Sequence, residues 1–141
     1  MTDKAAMQAL ARLVPPGSRV LDLGCGNGAM LDYLQRERGC SGYGVEIDDA
    51  NVLACVQRGV DVIQLNLDEG LALFADASFD VVLQIDTLQH LHNAETMLRE
   101  TVRVGRMGIV AFPNFAHWPN RLSVLRGRMP VTRRLPYQWY D

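Results

Sequence analysis

A short apolar stretch that runs directly into a glycine-rich turn constrains this chain more than any other part of its sequence. Residues 19–28 read Arg-Val-Leu-Asp-Leu-Gly-Cys-Gly-Asn-Gly, and the apolar side chains before the turn are typical of a buried strand. Glycine permits positive φ and lets a ligand lie against main-chain N–H groups where a Cβ would collide. Apolar residues at helical spacing between Ala29 and Arg38 predict that a helix follows. Strand, glycine turn and helix N-terminus together predict a nucleotide-type site.

The rest of the first 112 residues alternates between strand and helix patterns. The predicted strands cover residues 20–23, 42–47, 60–65, 79–85 and 107–112. The further predicted helices are residues 3–14, a segment capped by Asp48 or Asp49 that ends at Gly59, a turn of helix from Asp68 to Phe74, and a segment capped by Asn93 that ends at Gly105. Such alternation predicts an α/β fold with a parallel sheet and helices on both faces.

The last 29 residues differ from the rest in charge and composition. Residues 1–112 hold nine Lys and Arg against fifteen Asp and Glu, a net charge of −6, whereas residues 113–141 hold five Arg and one Asp, a net charge of +4. We therefore divide the chain into a core, residues 1–112, and a basic, aromatic-rich segment, residues 113–141, with one short helix predicted over Asn120 to Leu125. Its apolar surface predicts that it packs on the core or on a protein partner. The acidic pI of about 5.9 disfavours a nucleic-acid partner.

Composition excludes several other classes of protein. No apolar run reaches the roughly 18 residues that span a bilayer, and no apolar block of the signal-peptide kind opens the chain, so we expect a cytoplasmic protein without a membrane partner. Cys25, Cys40 and Cys55 contain no C-x-x-C pair, which disfavours a disulfide framework and a zinc site. Lys4 is the single lysine, so chemistry that requires a Schiff-base or phosphate-binding lysine is disfavoured.

The glycine turn fits two kinds of ligand. Gly24-x-Gly26-x-x-Ala29, followed by Glu46 at the end of the second strand, matches the dinucleotide fingerprint. The same stretch read as Asp22-x-Gly24-x-Gly26-x-Gly28 resembles the S-adenosylmethionine-dependent methyltransferases of the Rossmann-like class. The second interpretation also explains Asp22, because a carboxylate there would repel a pyrophosphate.

S-adenosylmethionine has the chemistry that these residues complement. Asp22 suits its amino group, the N–H groups from Gly24 to Gly26 suit its carboxylate, and Glu46 suits its two ribose hydroxyls. The resemblance to methyltransferases implies that Asn66 and the N–H of Leu67 contact the adenine, with Asp68 as the rival to Asn66. The complete set of predicted cofactor-binding residues is Asp22, Gly24, Cys25, Gly26, Gly28, Glu46, Ile47, Asn66, Leu67 and Gln84.

Several longer motifs resemble the methionine biosynthesis protein MetW family. They include Phe-Pro-Asn-Phe-Ala-His-Trp at residues 112–118, Gly-Arg-Met-Pro-Val-Thr at 127–132 and Leu-Pro-Tyr-Gln-Trp-Tyr-Asp at 135–141. The resemblance implies a Rossmann-like, doubly wound sheet of strand order 3-2-1-4-5 and a protein that acts beside homoserine O-acyltransferase in methionine synthesis. It also implies further C-terminal strands, including an antiparallel pair at the sheet edge, which we expect to be missing here.

The catalytic apparatus is the least defined part of the sequence. Asp86 or His90, after the fourth predicted strand, is a candidate general base, but the Gln-His-Leu-His run fits ordinary packing and helix capping better. His90 and His92 diverge on a helix and lack a third ligand, so we predict no metal. Three hypotheses follow: a binding protein for S-adenosylmethionine, or for its demethylated product S-adenosylhomocysteine, in methionine biosynthesis; an active small-molecule methyltransferase; and, least favoured, a nicotinamide-dependent oxidoreductase.

Overall fold

A six-stranded sheet with helices on both faces organises the part of the chain that the structure describes. The structure is a computed structural model and describes residues 4–85, 87, 91–111 and 122–126. The helices are α1 Lys4–Ala11, α2 Ala29–Arg38, α3 Asp49–Arg58 and α4 Ala94–Val104, with a 3₁₀ turn over Leu67–Glu69. The strands are β1 Arg19–Leu23, β2 Ser41–Glu46, β3 Val62–Gln64, β4 Phe79–Ile85, β5 Gly105–Ala111 and β6 Leu122–Arg126.

The strand order is β3-β2-β1-β4-β5-β6, in which the first five strands are parallel. This result confirms the predicted order 3-2-1-4-5 and the doubly wound α/β class. Since parallel strands end at the same edge, the carboxyl ends of β1, β2 and β4 meet where such folds bind ligands.

Helices α2, α3 and α4 begin and end where the sequence predicted, whereas α1 ends at Ala11 instead of residue 14 and the turn predicted over Asp68 to Phe74 is helical only over Leu67–Glu69. Asp48, rather than Asp49, caps α3 by accepting a hydrogen bond from the N–H of Asn51 at 3.0 Å, and Asn93 caps α4 by accepting from Thr96. Gly39 and Gly59 end α2 and α3 in the left-handed conformation. The N-caps of α3 and α4 follow the carboxyl ends of β2 and β4, so they lie at the edge of the sheet that carries the candidate site.

Apolar residues fill the space on both faces of the sheet. One cluster joins α1, α2 and Cys55 of α3 to Val20, Val81, Leu83 and Ile109. The other joins the inner face of α4 and residues 67–74 to Leu21, Leu23, Val82 and Val110. Burial on both faces explains why β1 and β4 are nearly continuous apolar runs.

The sixth strand corrects one prediction. The helix predicted over Asn120 to Leu125 is wrong, because Leu122–Arg126 forms β6, which pairs antiparallel with β5 from Ala111↔Leu122 to Met107↔Arg126. An unpaired β5 would leave a row of backbone N–H and C=O groups at the sheet edge, and β6 satisfies them. One antiparallel strand thus extends the sheet at the edge where the sequence predicted strands of the full fold to be missing.

Candidate functional site

Two adjoining cavities open at the carboxyl edge of the sheet. The smaller has a volume of about 190 Å³ and is lined by Asp22, Gly24, Cys25, Gly26, Asn27, Ala29, Met30, Asn51 and Ile85. The larger has a volume of about 540 Å³ and is lined by Gly24, Val45, Glu46, Ile47, Leu65, Asn66, Leu67, Asp68, Ile85, Thr87 and Leu91. Gly24 and Ile85 belong to both linings, so the two cavities form one groove over the end of the sheet.

Asp22 is a buried carboxyl that lacks a partner among the described residues. It lies in β1, only 2% of its surface is exposed, and its Oδ1 accepts no hydrogen bond from the described part of the protein. Burial, and next the negative charge of Glu46, raise the pKa of Asp22 from 3.8 to about 7. A buried polar atom without a partner, beside a cavity, fits a site whose ligand supplies a cationic or hydrogen-bonding group.

Glu46 holds the loops on both sides of the groove. Its Oε2 accepts a hydrogen bond from the N–H of Gly26 at 2.8 Å, and its Oε1 accepts from the N–H groups of Ile47 and Asp48 at 3.1 and 3.2 Å. An ionised carboxylate offers about four acceptor positions, so three internal bonds leave room for a ligand hydroxyl. The glycine turn and the start of α3 are therefore tied to the carboxylate that we predict to hold the ribose.

The N–H groups of the glycine turn donate to other parts of the protein, whereas the sequence predicted that they bind the ligand carboxylate. The N–H groups of Gly24 and Cys25 both donate to the carbonyl of Val45, at 2.8 and 3.0 Å, and that of Gly26 donates to Glu46. All three predicted donors to the ligand carboxylate therefore already have partners inside the protein. Their role here is to join the turn to the end of β2.

The backbone of the turn still leaves open space for a ligand. Gly26 lines the smaller cavity with a φ of +57°, and a Cβ built on it would meet nothing within 4 Å. Gly24, with a φ of +71°, has no such space, because its Cβ would lie 2.6 Å from Oγ1 of Thr87. The turn thus presents a bare backbone to the cavity at Gly26 and packs tightly against the chain after β4 at Gly24.

The predicted adenine side of the groove is occupied by polar groups that cap a turn. Oδ1 of Asn66 accepts from the N–H of Asp68 at 3.0 Å, which begins the 3₁₀ turn. The carboxylate of Asp68, the predicted rival, accepts from the N–H of His92 at 3.1 Å and lies 3.0 Å from its Nδ1, and these contacts lower the pKa of Asp68. Both residues line the larger cavity, as does Leu67.

Two predicted site residues line neither cavity. Gln84 is completely buried between β4 and α4, and its Nε2 donates to the hydroxyl of Thr101. Gly28, with a φ of +83°, precedes α2, and a Cβ there would lie 3.0 Å from Sγ of Cys55. Both residues therefore support the fold around the groove, and we remove them from the proposed ligand contacts.

Other residues of the groove were not predicted, and two candidates fall outside the description. Thr87, Asn51 and Leu91 line the cavities. Of these three, only Thr87 could have been predicted from the sequence, because it lies two residues after the end of β4. Its hydroxyl donates to the carbonyls of Leu23 and Ile85. The candidate bases Asp86 and His90 lie outside the described residues.

The described ranges contain neither a cluster of metal ligands nor a helix fit to span a membrane. Within them, no group of three His, Cys, Asp or Glu side chains comes together in a way that would hold a metal ion. No helix in the described part has both the length and the apolar character needed to cross a bilayer.

The sheet order and the position of the groove define the class of the protein. Solved structures of S-adenosylmethionine-dependent methyltransferases share the fold: one from Thermotoga maritima is 28% identical with a TM-score of 0.64, covering 75% of this chain and 49% of that one. Another, from Archaeoglobus fulgidus, is 25% identical with a TM-score of 0.66, covering 77% of this chain and 52% of that one. The chain therefore has the methyltransferase fold. Within that class it belongs to the MetW family, described as methionine biosynthesis protein MetW, whose sequence model matches residues 4–141.

Curated relatives agree with this assignment. The bifunctional methionine biosynthesis protein MetXA/MetW of Rhodopirellula baltica is 38% identical over 144 residues, which cover 95% of this chain and 23% of the relative. The 2-methyl-6-phytyl-1,4-hydroquinone methyltransferase of Synechocystis is 31% identical, over 89% of this chain and 41% of the relative. The chain thus spans less than half the length of these relatives.

Proposed function

We propose that this chain binds S-adenosylmethionine in the groove and serves methionine biosynthesis together with homoserine O-acyltransferase. The observation that carries the proposal is the pair of carboxylates at the ends of neighbouring strands, Asp22 in the smaller cavity and Glu46 in the larger. Asp22 is buried without a partner among the described residues, which suits a ligand that brings an ammonium group. The methyltransferase fold supports the same ligand.

The lining residues suit the two ends of this ligand. Asp22 would hold the amino group beside the bare backbone of Gly26, and Glu46 would accept one ribose hydroxyl at the acceptor position that its three backbone bonds leave free. Ile47 and Leu67 give the larger cavity apolar surface for an adenine ring, and Asn66 gives it an amide. The bound sulfonium would supply an activated methyl group, and the protein would orient it and exclude water.

A role beside an acyltransferase is supported by the Rhodopirellula relative. Its name joins MetXA and MetW in one bifunctional protein, and a pair of activities in one chain is consistent with two proteins that work in contact. We propose that binding of S-adenosylmethionine, the downstream product of the pathway, reports its abundance to the acyltransferase. The basic segment, residues 113–141, is the proposed docking surface on this chain.

Active methyl transfer to a small molecule is the second candidate. It is favoured by relatives such as the Synechocystis methyltransferase, which has this domain within a longer chain. Incubation with S-adenosylmethionine carrying a labelled methyl group and with homoserine and related acceptors distinguishes the two. Stoichiometric transfer of label to any acceptor would rule out a purely sensing role.

The ligand itself is tested by calorimetry. We expect S-adenosylmethionine and S-adenosylhomocysteine to bind and NADH not to, because the first two bring an ammonium group to Asp22, whereas a pyrophosphate brings only negative charge. Asp22→Asn should weaken binding of S-adenosylmethionine. Asp80→Asn is the matched control: its Oδ2 accepts from the N–H of Arg19 near the start of β1, far from the groove, so ligand affinity should be unchanged. Binding of NADH in preference to S-adenosylmethionine would overturn the proposal.

A further inference from the structure

Two cysteines from different elements lie side by side beneath the glycine turn. Sγ of Cys25, in the turn, is 3.7 Å from Sγ of Cys55, in α3, and both are free thiols. Cys25 lines the smaller cavity with 8% of its surface exposed, whereas Cys55 is fully buried. We propose that this thiol pair is a reversible modification site, at which a hydroperoxide that enters the cavity converts the two thiols into a disulfide and closes the groove to its ligand.

Missing side chains on two glycines leave the space that the thiol pair occupies. A Cβ on Gly44 would lie 2.4 Å from Sγ of Cys25, and a Cβ on Gly28 would lie 3.0 Å from Sγ of Cys55. Either added atom would displace a sulfur atom from its present position. The close approach of the thiols therefore depends on the backbone around them, and it is not the chance meeting of two mobile side chains.

The chemistry needs only the two thiols and the hydroperoxide. The thiolate of Cys25 attacks the peroxide, the O–O bond breaks, an alcohol or water leaves, and Cys25 becomes a sulfenic acid. The sulfur of Cys55 then attacks the sulfur of Cys25, the S–S bond forms, and the sulfenic oxygen leaves as water with the proton of Cys55. Two electrons pass from the thiols to the peroxide. A small thiol then reduces the disulfide again by thiol–disulfide exchange.

The surroundings of the thiol pair set the rate at which it is oxidised. Burial, and next the charge of Asp22, raise the pKa of Cys25, and burial also raises the pKa of Cys55. Because the thiolate is the reacting form, oxidation should be slow at neutral pH and should accelerate as the pH rises. A bound ligand that fills the smaller cavity should slow it further, since the cavity leads to Cys25.

Formation of the disulfide would disturb the residues that we propose to hold the ligand, and this consequence rests on the proposed function. The sulfur atoms must approach by roughly 1.7 Å to reach a bond length of about 2.05 Å. Gly26 lies at this contact: its carbonyl accepts from Sγ of Cys55 at 3.2 Å, and its N–H donates to Glu46. A shift of the turn or of α3 therefore moves the anchor of Glu46.

The experiment treats the full chain with hydrogen peroxide and follows the disulfide and ligand binding separately. Trypsin is expected to release residues 20–36 with Cys25 and residues 39–58 with both Cys40 and Cys55, so Cys40→Ser is used as the parent to make the assignment unique. Mass spectrometry without reductant should show the two peptides linked and the intact mass reduced by two hydrogen atoms. Affinity for S-adenosylmethionine should fall by about tenfold or more and return after dithiothreitol.

Matched variants separate the possible outcomes. Cys55→Ser, whose side chain lines neither cavity, should form no link and keep its affinity after peroxide, and Cys25→Ser should also form no link; thermal unfolding confirms that each is folded. The absence of a linked peptide after prolonged treatment at alkaline pH would overturn the proposal, as would a complete disulfide that leaves affinity unchanged. If the reduced chain does not bind S-adenosylmethionine, the proposed function fails, and the mass measurement still decides whether the site oxidises.

Discussion

Asp22 links the candidate site to pH, because its carboxyl is buried and its Oδ1 has no hydrogen-bond partner among the described residues. Its pKa of about 7 in the folded protein exceeds the ordinary value of 3.8, so the folded state binds the proton more tightly than the unfolded state. The contribution of Asp22 to the free energy of unfolding is therefore fully present below about pH 4 and is lost as the pH rises to about 7. Below about pH 7 the ligand-free protein keeps this acid mostly neutral, and the proposed ligand would ionise it.

The first prediction concerns this proton. The free energy of unfolding is measured by urea denaturation from pH 4 to pH 8. Over this range it should fall by about 1–4 kcal/mol more in the unsubstituted protein than in Asp22→Asn. Affinity for S-adenosylmethionine should rise with pH up to about 7 and then level off, because the ammonium group of the ligand favours the ionised carboxylate. If stability and affinity depend on pH in the same way in the unsubstituted protein and in Asp22→Asn, Asp22 does not have the proposed role.

Glu46 provides the second prediction. Glu46→Ala should weaken S-adenosylmethionine binding by roughly 1.5–3 kcal/mol, because the ribose loses a charge-assisted acceptor and the Gly26 N–H loses its partner. Asp48→Ala is the control, since it removes the cap of α3 and should lower stability by about 1 kcal/mol without changing affinity. Calorimetry and thermal unfolding measure the two effects. Unchanged affinity in Glu46→Ala would mean that another residue holds the ribose.

The sequence predicted the two carboxylates but not the use of the amides between them. Asp22 and Glu46 follow from their spacing relative to one glycine turn and one strand end, which is local information. The partner of the Gly24 and Cys25 amides is the carbonyl of Val45, about twenty residues away, and no side-chain pattern marks a carbonyl. Gln84 was misplaced for the same reason, because its partner Thr101 lies on a helix seventeen residues later.

At the scale of elements, Arg103 ties α4 to the chain that precedes β4. Its guanidinium donates to the carbonyls of Leu71 and Phe74, each at 2.9 Å, and to the carboxylates of Asp76 and Glu100. Residues 67–74 pack against α4 and also line part of the larger cavity. The single side chain therefore fixes one wall of the groove to a helix.

The third prediction tests this connection. Arg103→Ala should lower the free energy of unfolding by about 2–3 kcal/mol, because two carbonyls lose charge-assisted donors. Arg103→Lys should recover only part of that loss, since an ammonium cannot reproduce the fork of the guanidinium. Arg99→Ala is the control: its exposed pair with Glu95 contributes about 0.5 kcal/mol or less. Urea denaturation that ranks Arg99→Ala as the more harmful change would refute the argument.

Element boundaries were predicted best where a cap defines them. Gly39, Gly59 and Asn93 each carry a local signal, and the helices end or begin there. The segment Leu-Ser-Val-Leu-Arg over Leu122–Arg126 has no cap, and five residues are too few for periodicity to separate a helix from a strand. The open edge of β5 decides its conformation, and that edge exists only in the folded sheet.

At the scale of the whole molecule, the contrast between an acidic core and a basic C-terminal segment gives the fourth prediction. Arg126 ends β6, so the test uses Arg128 and Arg133. Changing both to Glu should abolish co-purification with homoserine O-acyltransferase and leave affinity for S-adenosylmethionine unchanged, because charge complementarity selects partners. Arg36→Glu with Arg99→Glu, on exposed helix positions, is the control of equal charge. Retained co-purification would place the docking surface elsewhere.

The meeting of the two cavities at Gly24 and Ile85 has a consequence for fragments of the proposed ligand. Methionine fits the chemistry of one compartment and adenosine that of the other, so the fragments should occupy the protein simultaneously, each weakly. Saturation with adenosine should leave the dissociation constant of methionine nearly unchanged in a titration followed by NMR, whereas direct competition would show that they share one compartment. In the complete nucleoside a covalent bond joins the two fragments, so the whole molecule binds more strongly than either fragment, without any additional contact.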